Sequence, residues 1–293
     1  MVLEVNNLVK RYGKVTAVNS ISFQVKPGQV FGILGPNGSG KTTTLGCITG
    51  ILTADSGTFA WFDKGDFVSS RKKIGAMIET PNFYPYMSAE MNLEIVAHIK
   101  GTGYSRIHDT LKEVGLFERR NSPFKSFSLG MKQRLSIGSA LLTDPEVLVL
   151  DEPTNGLDPQ GINEIRQLII RQRDRGKTII LASHLLNEVE KVCTDVVILK
   201  KGNVLKSATV AGMLVNGNTV EVGSEQPEIL GKALEALGNL KISGPKNGRF
   251  VIELPAGYSS SFLNRALIEK GVSVNHIVQV QADLESEFLK LIG

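Results

Sequence analysis

A glycine-rich segment constrains the fold of this chain more than any other feature. Residues 35–42 read GPNGSGKT and stand between the apolar run 29–34 and a run with helical character. They match the pattern G-x-x-x-x-G-K-[ST] at every fixed position, a pattern in which backbone N–H groups surround phosphate oxygens. A strand, a glycine loop and a helix in this order predict the P-loop unit of an α/β protein.

This loop predicts a nucleoside triphosphate as its ligand. Lys41 is expected to reach the β- and γ-phosphates, and the Thr42 hydroxyl is expected to bind Mg²⁺. The alternative, a glycine-rich turn with a structural role only, is disfavoured by the flanking strand and helix. The residues predicted to contact the phosphates are Gly35, Pro36, Asn37, Gly38, Ser39, Gly40, Lys41, Thr42 and Thr43.

A second apolar run ends in two acidic residues. Residues 147–150 read VLVL and are followed by Asp151 and Glu152. Ligands of α/β sheets bind at the carboxyl ends of strands. Asp151 is therefore predicted to hold Mg²⁺, and Glu152 to polarise the attacking water as a general base. The alternative is that the two acids merely end the strand.

Hydrophobic patterning indicates the remaining architecture. Near-continuous apolar runs at 146–150 and 178–182 predict strands of a parallel sheet covered on both faces, and residues 2–9 and 17–25 alternate between apolar and polar as strands do. Residues 85–140 have helical spacing only. We therefore predict an α/β fold with a mostly parallel core sheet, an antiparallel N-terminal β part and a helical insert at about 85–140.

A different pattern begins at residue 216. Short strands and helices alternate from there to the end, including a strand predicted over 272–280 and a helix over 283–292. The glycine-bearing segment 215–218 marks this unit off. We predict two domains, 1–215 and 216–293, the second a small α+β domain.

Composition excludes several other classes of protein. The 293 residues are 42% hydrophobic and 21% charged, as in ordinary globular proteins, and a net charge of +4 demands no nucleic acid, so we expect none as a partner. No signal region is evident, and no run approaches the roughly 18 apolar residues that span a bilayer. We expect a cytoplasmic chain whose membrane role comes through another chain.

Cys47 and Cys193 are expected to be buried, reduced residues.

These motifs together make residues 1–215 resemble the nucleotide-binding subunit of an ATP-binding-cassette (ABC) transporter. The segment FSLGMKQ at 127–133 falls where that family has its signature sequence, which pairs with the P-loop of a second subunit. Ser128, Gly130 and Gln133 match the signature, whereas Leu129 and Met131 replace the usual glycine and glutamine.

The resemblance implies that each ATP is held by two protomers. Ser128 and the N–H groups at Gly130, with Gln133 beside them, would hold the γ-phosphate of ATP bound to the other protomer of a homodimer, or of a dimer with a related ATPase subunit. The alternative is an ordinary serine-capped helix.

The resemblance assigns roles to three further residues. Tyr12 is expected to stack on the adenine base, Asp158 to lie in a loop crossing the dimer interface, and His184 to bind the γ-phosphate. The alternatives are a surface tyrosine for Tyr12 and a structural histidine for His184.

Glu79 stands where most members of the family carry glutamine. It is expected to take part in catalysis and to bind Mg²⁺ through its carboxylate, with a protonation state coupled to that of Glu152. With the SLGMKQRL signature, Glu79 resembles the branch that exports bacitracin, lantibiotics and related peptides. The alternative is a neutral variant in another efflux branch.

The aromatic residues at 83–86 would either receive the membrane subunit or pack onto the chain's own helices.

The implied function is that of an ATPase subunit that dimerises on ATP and drives a separate integral membrane permease. It would lie at the inner face of the cell membrane and export a peptide or drug-like substrate. Two alternatives are a soluble ABC ATPase of translation or cofactor assembly, and a binding-only regulatory subunit. Residues 216–293, whose end resembles the tail of efflux ATPase subunits, are expected to be regulatory or to support the dimer.

Overall fold

The computed structural model describes residues 1–63, 67–79, 82–214, 219–238, 240–255, 257–280 and 283–292. Within these ranges the chain divides into two compact units, Met1–Thr209 and Val210–Gly293. The predicted linker at 215–218 lies outside the described residues.

The first unit combines two sheets with helices that follow or separate their strands. Its strands are β1 (Leu3–Tyr12), β2 (Val15–Val25), β3 (Val30–Leu34), β4 (Ser56–Trp61), β5 (Ile74–Met77), β6 (Val147–Asp151), β7 (Thr178–Ser183), β8 (Asp195–Lys200) and β9 (Asn203–Thr209). Its helices are α1 (Lys41–Ile48), α2 (Phe67–Arg71), α3 (Ala89–Lys100), α4 (Ile107–Glu113), α5 (Leu129–Leu141), α6 (Pro159–Asp174) and α7 (Leu186–Val192).

The larger sheet has the strand order β5-β6-β7-β3-β8-β9. Neighbours from β5 to β8 are parallel, and β9 pairs with β8 in the antiparallel sense. Every residue of β3, β6 and β7 is buried, as expected for parallel strands covered on both faces. Because parallel strands end at the same edge of a sheet, the segments that follow β3, β5, β6 and β7 meet there.

The smaller sheet, of order β2-β1-β4, is antiparallel throughout. Its buried side chains join those of β3, β6 and α1 in one hydrophobic core. Trp61 is fully buried in that core, and its indole N–H donates a hydrogen bond of 2.7 Å to the carbonyl oxygen of Ile48. The smaller sheet is thereby fixed against the helix that follows the glycine loop.

Helices α3, α4 and α5 form an insert between β5 and β6. The hydroxyl oxygen of Ser88 caps α3 by accepting a hydrogen bond of 3.1 Å from the N–H of Met91. Leu93 and Ala97 of α3 and Leu111 of α4 are fully buried, so the insert has an apolar interior of its own. None of the helices within the described ranges combines the length and the apolar character needed to cross a bilayer.

The second unit contains α8 (Val210–Leu214), β10 (Thr219–Gly223), α9 (Pro227–Glu235), β11 (Lys241–Lys246), β12 (Arg249–Glu253), α10 (Ser260–Glu269), β13 (His276–Val280) and α11 (Leu284–Ile292). Its antiparallel sheet has the order β11-β12-β10-β13. Strands and helices from β10 to β13 follow the β-α-β-β-α-β sequence of ferredoxin-like units. Apolar residues of β10, β12, α9 and α10 share one core.

The strand predicted over 272–280 begins only at His276. The N–H of Val272 donates to the carbonyl oxygen of Leu267 at 2.9 Å, and Gly271 has a φ of 75°. These residues therefore end α10 in a left-handed C-terminal turn, which competes with the extended conformation that the apolar pattern predicts.

Both cysteines are buried and free, as predicted. Burial raises the pKa of the Cys47 thiol, which belongs to α1 and is fully buried in the hydrophobic core that α1 shares with the two sheets. Burial also raises the pKa of the Cys193 thiol well above its ordinary value, with a smaller contribution from the charge of Asp195. The Cys193 sulfur packs against β3, where a Cβ atom on Gly32 would lie 3.1 Å from it.

Candidate nucleotide site

The glycine loop between β3 and α1 is closed tightly around neighbouring backbone. A Cβ atom at Gly35 would lie 2.4 Å from the carbonyl oxygen of Leu199, and one at Gly40 would lie 2.3 Å from that of Ala17. Gly40 also has a φ of 103°, which side chains rarely allow. Both positions therefore require glycine, and the loop adopts a tight turn in which the N–H of Ser39 donates to the carbonyl oxygen of Pro36 at 3.1 Å.

The tip of this loop is open to solvent, and its end is not. Pro36, Asn37 and Gly38 are exposed, whereas Ser39 is buried and its hydroxyl oxygen has no hydrogen-bond partner among the described residues. Thr43, in the first turn of α1, is half-buried. The exposed tip and the polar interior are what a loop that surrounds a charged ligand requires.

Lys41 is buried at the start of α1, and its ammonium group already has partners. It donates to the carbonyl oxygens of Gly35 at 2.9 Å and Pro36 at 3.4 Å. Its Nζ also lies 3.3 Å from Oε1 of Glu152. The loop and the end of β6 therefore share one buried cation.

Asp151 is the last residue of β6 and is buried beside Lys41 and Thr42. Burial raises the pKa of its carboxyl group, and the charges of Glu152 and Glu79 raise it further. A hydrogen bond from Thr42 and the charge of Lys41 oppose these effects. The balance indicates a carboxylate that lacks sufficient positive charge around it.

The carboxylate of Asp151 and the hydroxyl group of Thr42 are ligands that fit Mg²⁺. Oδ1 of Asp151 is buried and has no hydrogen-bond partner among the described residues, and the Thr42 hydroxyl is its neighbour. Mg²⁺ prefers oxygen ligands and is usually bound by one or two protein groups together with phosphates and waters. Within the described ranges no group of three His, Cys, Asp or Glu residues could hold a metal ion. Phosphate oxygens would therefore have to complete this metal site.

Glu152 turns sharply away from the strand that Asp151 ends. Its φ is 45°, a strained value for a residue other than glycine, and its N–H donates to the carbonyl oxygen of Ala182 at 2.9 Å. This geometry directs its carboxylate toward β7, where Oε2 lies 2.8 Å from Nδ1 of His184. The two predicted catalytic residues are thereby in direct contact.

Glu79 follows β5 at the same sheet edge. It has a φ of 62° and an exposed side chain, and its charge acts on Asp151. The residues after it, 80 and 81, lie outside the described ranges. The end of β5 thus brings a third carboxylate near the candidate metal site.

The aromatic residues after Glu79 differ in their exposure. The ring of Phe83 packs edge-on against Phe124 with centroids 5.2 Å apart. Tyr84 and Tyr86 are exposed, at 58% and 79%. Phe83 therefore packs onto the chain's own helical insert, and the contact of the other two rings with the membrane subunit stays a prediction.

The signature segment opens α5. The Ser128 hydroxyl oxygen caps the helix by accepting a hydrogen bond of 3.3 Å from the N–H of Met131, and Gly130 lies in the first turn. The free N–H groups of such an end favour an anion. Gln133, in contrast, is buried, and its side-chain oxygen has no hydrogen-bond partner among the described residues.

Asp158 opens α6 in the same way. Its carboxylate accepts a hydrogen bond of 2.8 Å from the N–H of Gly161. The mouths of α5 and α6 line one cavity of about 430 Å³, which includes Ser128, Gly130 and Asp158. Most of the predicted site residues therefore fall into two groups, one at the sheet edge and one around this cavity, whereas Gln133 does not line the cavity.

Tyr12 ends β1, with 49% of its surface exposed and Nζ of Lys10 lying 5.7 Å from its ring centroid. An accessible ring of this kind can stack on a base.

The sequence-based predictions missed Arg134, which lies on the same cavity. It donates to the carbonyl oxygens of Val114 at 3.3 Å and Gly115 at 3.1 Å, and its Nε lies 3.4 Å from Oε2 of Glu164. Its position directly after the signature segment is the only signal in the sequence.

Comparison with known proteins extends this description. A sequence profile of the ABC transporter family matches residues 18–155. The bacitracin transport ATP-binding protein of Enterococcus faecalis is 34% identical over 298 aligned residues, covering 100% of this chain and 96% of that protein. The lantibiotic transport ATP-binding protein of Streptococcus pyogenes is 39% identical over 203 residues, covering 69% of this chain and 89% of that protein.

The chain belongs to the ABC transporter family.

Solved structures of the family agree with this assignment. An ATP-binding subunit of an ABC transporter aligns with a TM-score of 0.65 and 29% identity, covering 73% of this chain and 92% of that chain. The dimeric post-hydrolysis state of an ATP-binding cassette, bound to ADP and Pi, aligns with a TM-score of 0.64 and 26% identity, covering 71% and 98%. The predicted fold class and the function of an ATP-hydrolysing ABC subunit are confirmed, and the transporter is favoured over the two alternatives.

Proposed function

We propose that this ABC subunit hydrolyses ATP within a closed dimer and so drives export of a peptide or drug-like substrate by a separate membrane permease. The observation that carries the proposal is the shared sheet edge: Lys41 after β3, Glu152 after β6 and His184 after β7 are linked by contacts of 2.8–3.3 Å. The bacitracin and lantibiotic transport proteins, at 34% and 39% identity, support the substrate class.

Hydrolysis requires little more than positioning and charge compensation at this edge. Water attacks the γ-phosphorus in line, and the bond from that phosphorus to the bridging oxygen breaks, yielding ADP and phosphate. Lys41 neutralises the phosphates, and Glu152 orients the water and accepts its proton. His184, whose Nδ1 faces Glu152, keeps its other ring nitrogen for the γ-phosphate. Mg²⁺, held by Thr42, Asp151 and Glu79, would supply further charge neutralisation.

The second protomer completes each site. Ser128 and the N–H groups at Gly130 contact the γ-phosphate bound to the partner's loop, and Asp158 lies at the contact between protomers. Tyr12 stacks on the adenine. The two capped helix ends that share one cavity support this role, as does the dimeric structure of a related cassette.

The helical insert contacts the permease. A cavity of about 750 Å³ between α3 and α4 is lined by Glu90, Glu94, His98 and His108 among others. Glu90 lies 2.5 Å from Nε2 of His108, so the exposed Glu94 is the carboxylate that suits a basic residue of the permease. The exposed rings of Tyr84 and Tyr86, nearby in sequence, suit apolar residues beside it. Through this contact the subunit lies at the inner face of the membrane. Residues 216–293 form a separate domain that regulates or supports the dimer.

The experiment is reconstitution with the permease. The purified subunit is used to capture its membrane partner, and the pair is reconstituted in vesicles. Phosphate release is then measured with bacitracin, a lantibiotic or an unrelated amphipathic peptide present. Stimulation by a peptide antibiotic supports the proposal. ATP hydrolysis that no peptide or drug-like compound stimulates would contradict the substrate class, and co-purification with ribosomes would contradict the transport role.

A further inference from the structure

Two leucine side chains join the N-terminal ends of α5 and α6, and each leucine packs against a glycine residue of the other segment. A Cβ atom at Gly156 would lie only 3.1 Å from Cδ2 of Leu129, so that methyl group rests against the backbone of the loop before α6. In the opposite direction, a Cβ atom at Gly130 would lie 3.8 Å from Cδ2 of Leu157. Each segment thus contributes one leucine and one glycine to a reciprocal contact.

Leu157 also packs onto the helix that it precedes. A Cβ atom at Gly161 would lie 3.3 Å from Cβ and 3.5 Å from Cδ1 of Leu157. One methyl group of Leu157 therefore faces α5 and the other faces α6. This leucine fills the angle between the two helix ends, and Leu129 covers the loop from the other side.

The contact is not explained by the stability of the core. Leu129 is 46% exposed, and glycine, the usual residue of the family at this position, has no side chain to make the contact. An exposed leucine at the mouth of a helix contributes little hydrophobic free energy to folding, because much of its surface stays in water. Its effect is local: it holds one loop against one helix end.

A second contact between α5 and α6, an ion pair, lies on the same cavity. Arg134 on α5 faces Glu164 on α6 at 3.4 Å, while its Nη1 is fixed by the carbonyl oxygens at the end of α4. The ion pair joins the helices about two turns from their mouths and leaves the first turns free to move apart. The leucine contact is what restrains those first turns.

We propose that Leu129 is a positioning residue that locks the signature helix to the loop at 155–158, so that both reach the partner's nucleotide as one rigid surface. The inference rests on the proposed dimer. Ser128 and Asp158 each open a helix, and closure of the dimer must order both helix ends. If the two ends are already held together, less conformational freedom is lost when the dimer forms.

The test compares Leu129→Gly with Leu129→Met in the full-length chain. Glycine removes the contact, and methionine keeps an apolar group of similar reach. Hydrogen exchange is measured on peptides covering 153–158 without nucleotide, and ATPase activity is measured against protein concentration. In Leu129→Gly, amide exchange in the loop should be about three- to tenfold faster, and half-maximal ATPase activity should need about three- to tenfold more protein, the range for losing one or two methyl contacts. Leu129→Met should resemble the wild type.

Affinity for labelled ATP at protein concentrations below dimerisation should not change in either variant, because Leu129 lines the cavity at the starts of α5 and α6, to which residues 35–42 of the glycine loop do not contribute. Unchanged loop exchange in Leu129→Gly would overturn the inference, and so would an equal defect in Leu129→Met. A wild type whose ATPase activity per molecule does not depend on protein concentration would instead contradict the proposed dimer, so the two failures are distinguishable.

Discussion

The ammonium group of Lys41 lies 3.3 Å from one carboxylate oxygen of Glu152, whose other oxygen lies 2.8 Å from Nδ1 of His184. Glu152 therefore bridges the lysine of the glycine loop and the histidine at the end of β7. A γ-phosphate that binds Lys41 competes with Glu152 for the same cation. Phosphate binding would thus free the carboxylate to act on water.

The first prediction concerns this carboxylate. Glu152→Gln should bind ATP with near wild-type affinity, because Lys41 keeps its phosphate partner, but should hydrolyse it at least about 100-fold more slowly through loss of the general base. Equilibrium titration and phosphate release measure the two effects, and gel filtration with ATP should show a long-lived dimer. Glu146→Gln is the matched control, since Glu146 is 58% exposed and precedes the same strand. A turnover rate equal to that of the wild type in Glu152→Gln would show that Glu152 is not the general base.

Loss of the loop lysine should act on binding. Lys41→Ala removes a buried charge that the phosphates need, and its affinity for ATP should fall by about 100-fold, the upper range for a charge-assisted contact. Titration with labelled ATP measures this effect. Lys26→Ala, at an exposed turn, should bind as the wild type does. Equal affinity of Lys41→Ala and wild type would show that the loop does not grip phosphate through this residue.

Asp151 gives a prediction about pH and stability. Because its pKa is raised on folding, the folded chain holds this proton more firmly than the unfolded chain. Stability therefore falls as pH rises from the ordinary Asp pKa of about 4 through the raised value. Asp151→Asn should melt about 2–4 °C higher than wild type at neutral pH, without nucleotide or Mg²⁺, and this gain should shrink as the pH falls toward the ordinary Asp pKa of about 4. Mg²⁺-dependent hydrolysis should be lost.

Asp144→Asn is the control of opposite sign. A hydrogen bond from Lys177 lowers the pKa of Asp144, so this carboxylate stabilises the fold above its ordinary pKa and loses that effect as pH falls through the lowered value. Asp144→Asn should therefore melt below wild type at neutral pH. If Asp151→Asn also melts below wild type at neutral pH, the charged carboxylate of Asp151 does not destabilise the folded chain.

A comparison of the serine caps of α3 and α5 distinguishes an effect on stability from an effect on dimerisation. Ser88 and Ser128 each accept a hydrogen bond from the third residue beyond them, at 3.1 and 3.3 Å. Ser88→Ala and Ser128→Ala should each cost about 1 kcal/mol of stability. Only Ser128→Ala should also reduce ATP-dependent dimerisation, measured by analytical ultracentrifugation with Glu152→Gln as the background. Equal dimerisation of both variants would make Ser128 an ordinary cap.

Glu79→Gln tests the departure from the usual glutamine. The charge of Glu79 raises the pKa of Asp151, which must be ionised to hold Mg²⁺. Removing that charge should lower the pKa of Asp151 and shift the acid limb of the pH–rate profile to lower pH. Glu94→Gln, an exposed residue of α3, is the control. A profile that does not move would show that Glu79 has no electrostatic effect on the reaction.

The parts of this molecule that the sequence predicts are those encoded locally. The glycine loop and the runs that become β3, β6 and β7 carry their own signals, because every residue of those strands is buried and apolar patterning is continuous. Strands β4, β5, β8 and β9 were not predicted. Ser56–Trp61 is a strand because it pairs with β1, from which β2, β3 and α1 separate it in the sequence, and no local pattern records such a contact.

The candidate site was predictable to the same extent. Asp151 and Glu152 follow from a strand end, but the roles of Tyr12 and Glu79 came only through family resemblance. The contact of Leu129 with Gly156 could not be predicted, because Leu129 belongs to α5 and Gly156 to the loop before α6, and the two approach only in the folded chain. The burial of Gln133 likewise depends on which face of α5 meets the core.

The burial of both native thiols makes the folded protein unreactive toward maleimides and similar reagents, since Cys47 and Cys193 are inaccessible and hold their protons more tightly than a free cysteine. A dye placed through Lys26→Cys would therefore label a single position while both native cysteines stay in place. Energy transfer between two such copies could follow opening and closing of the ATPase in real time, and labelling of the native thiols would in turn report unfolding.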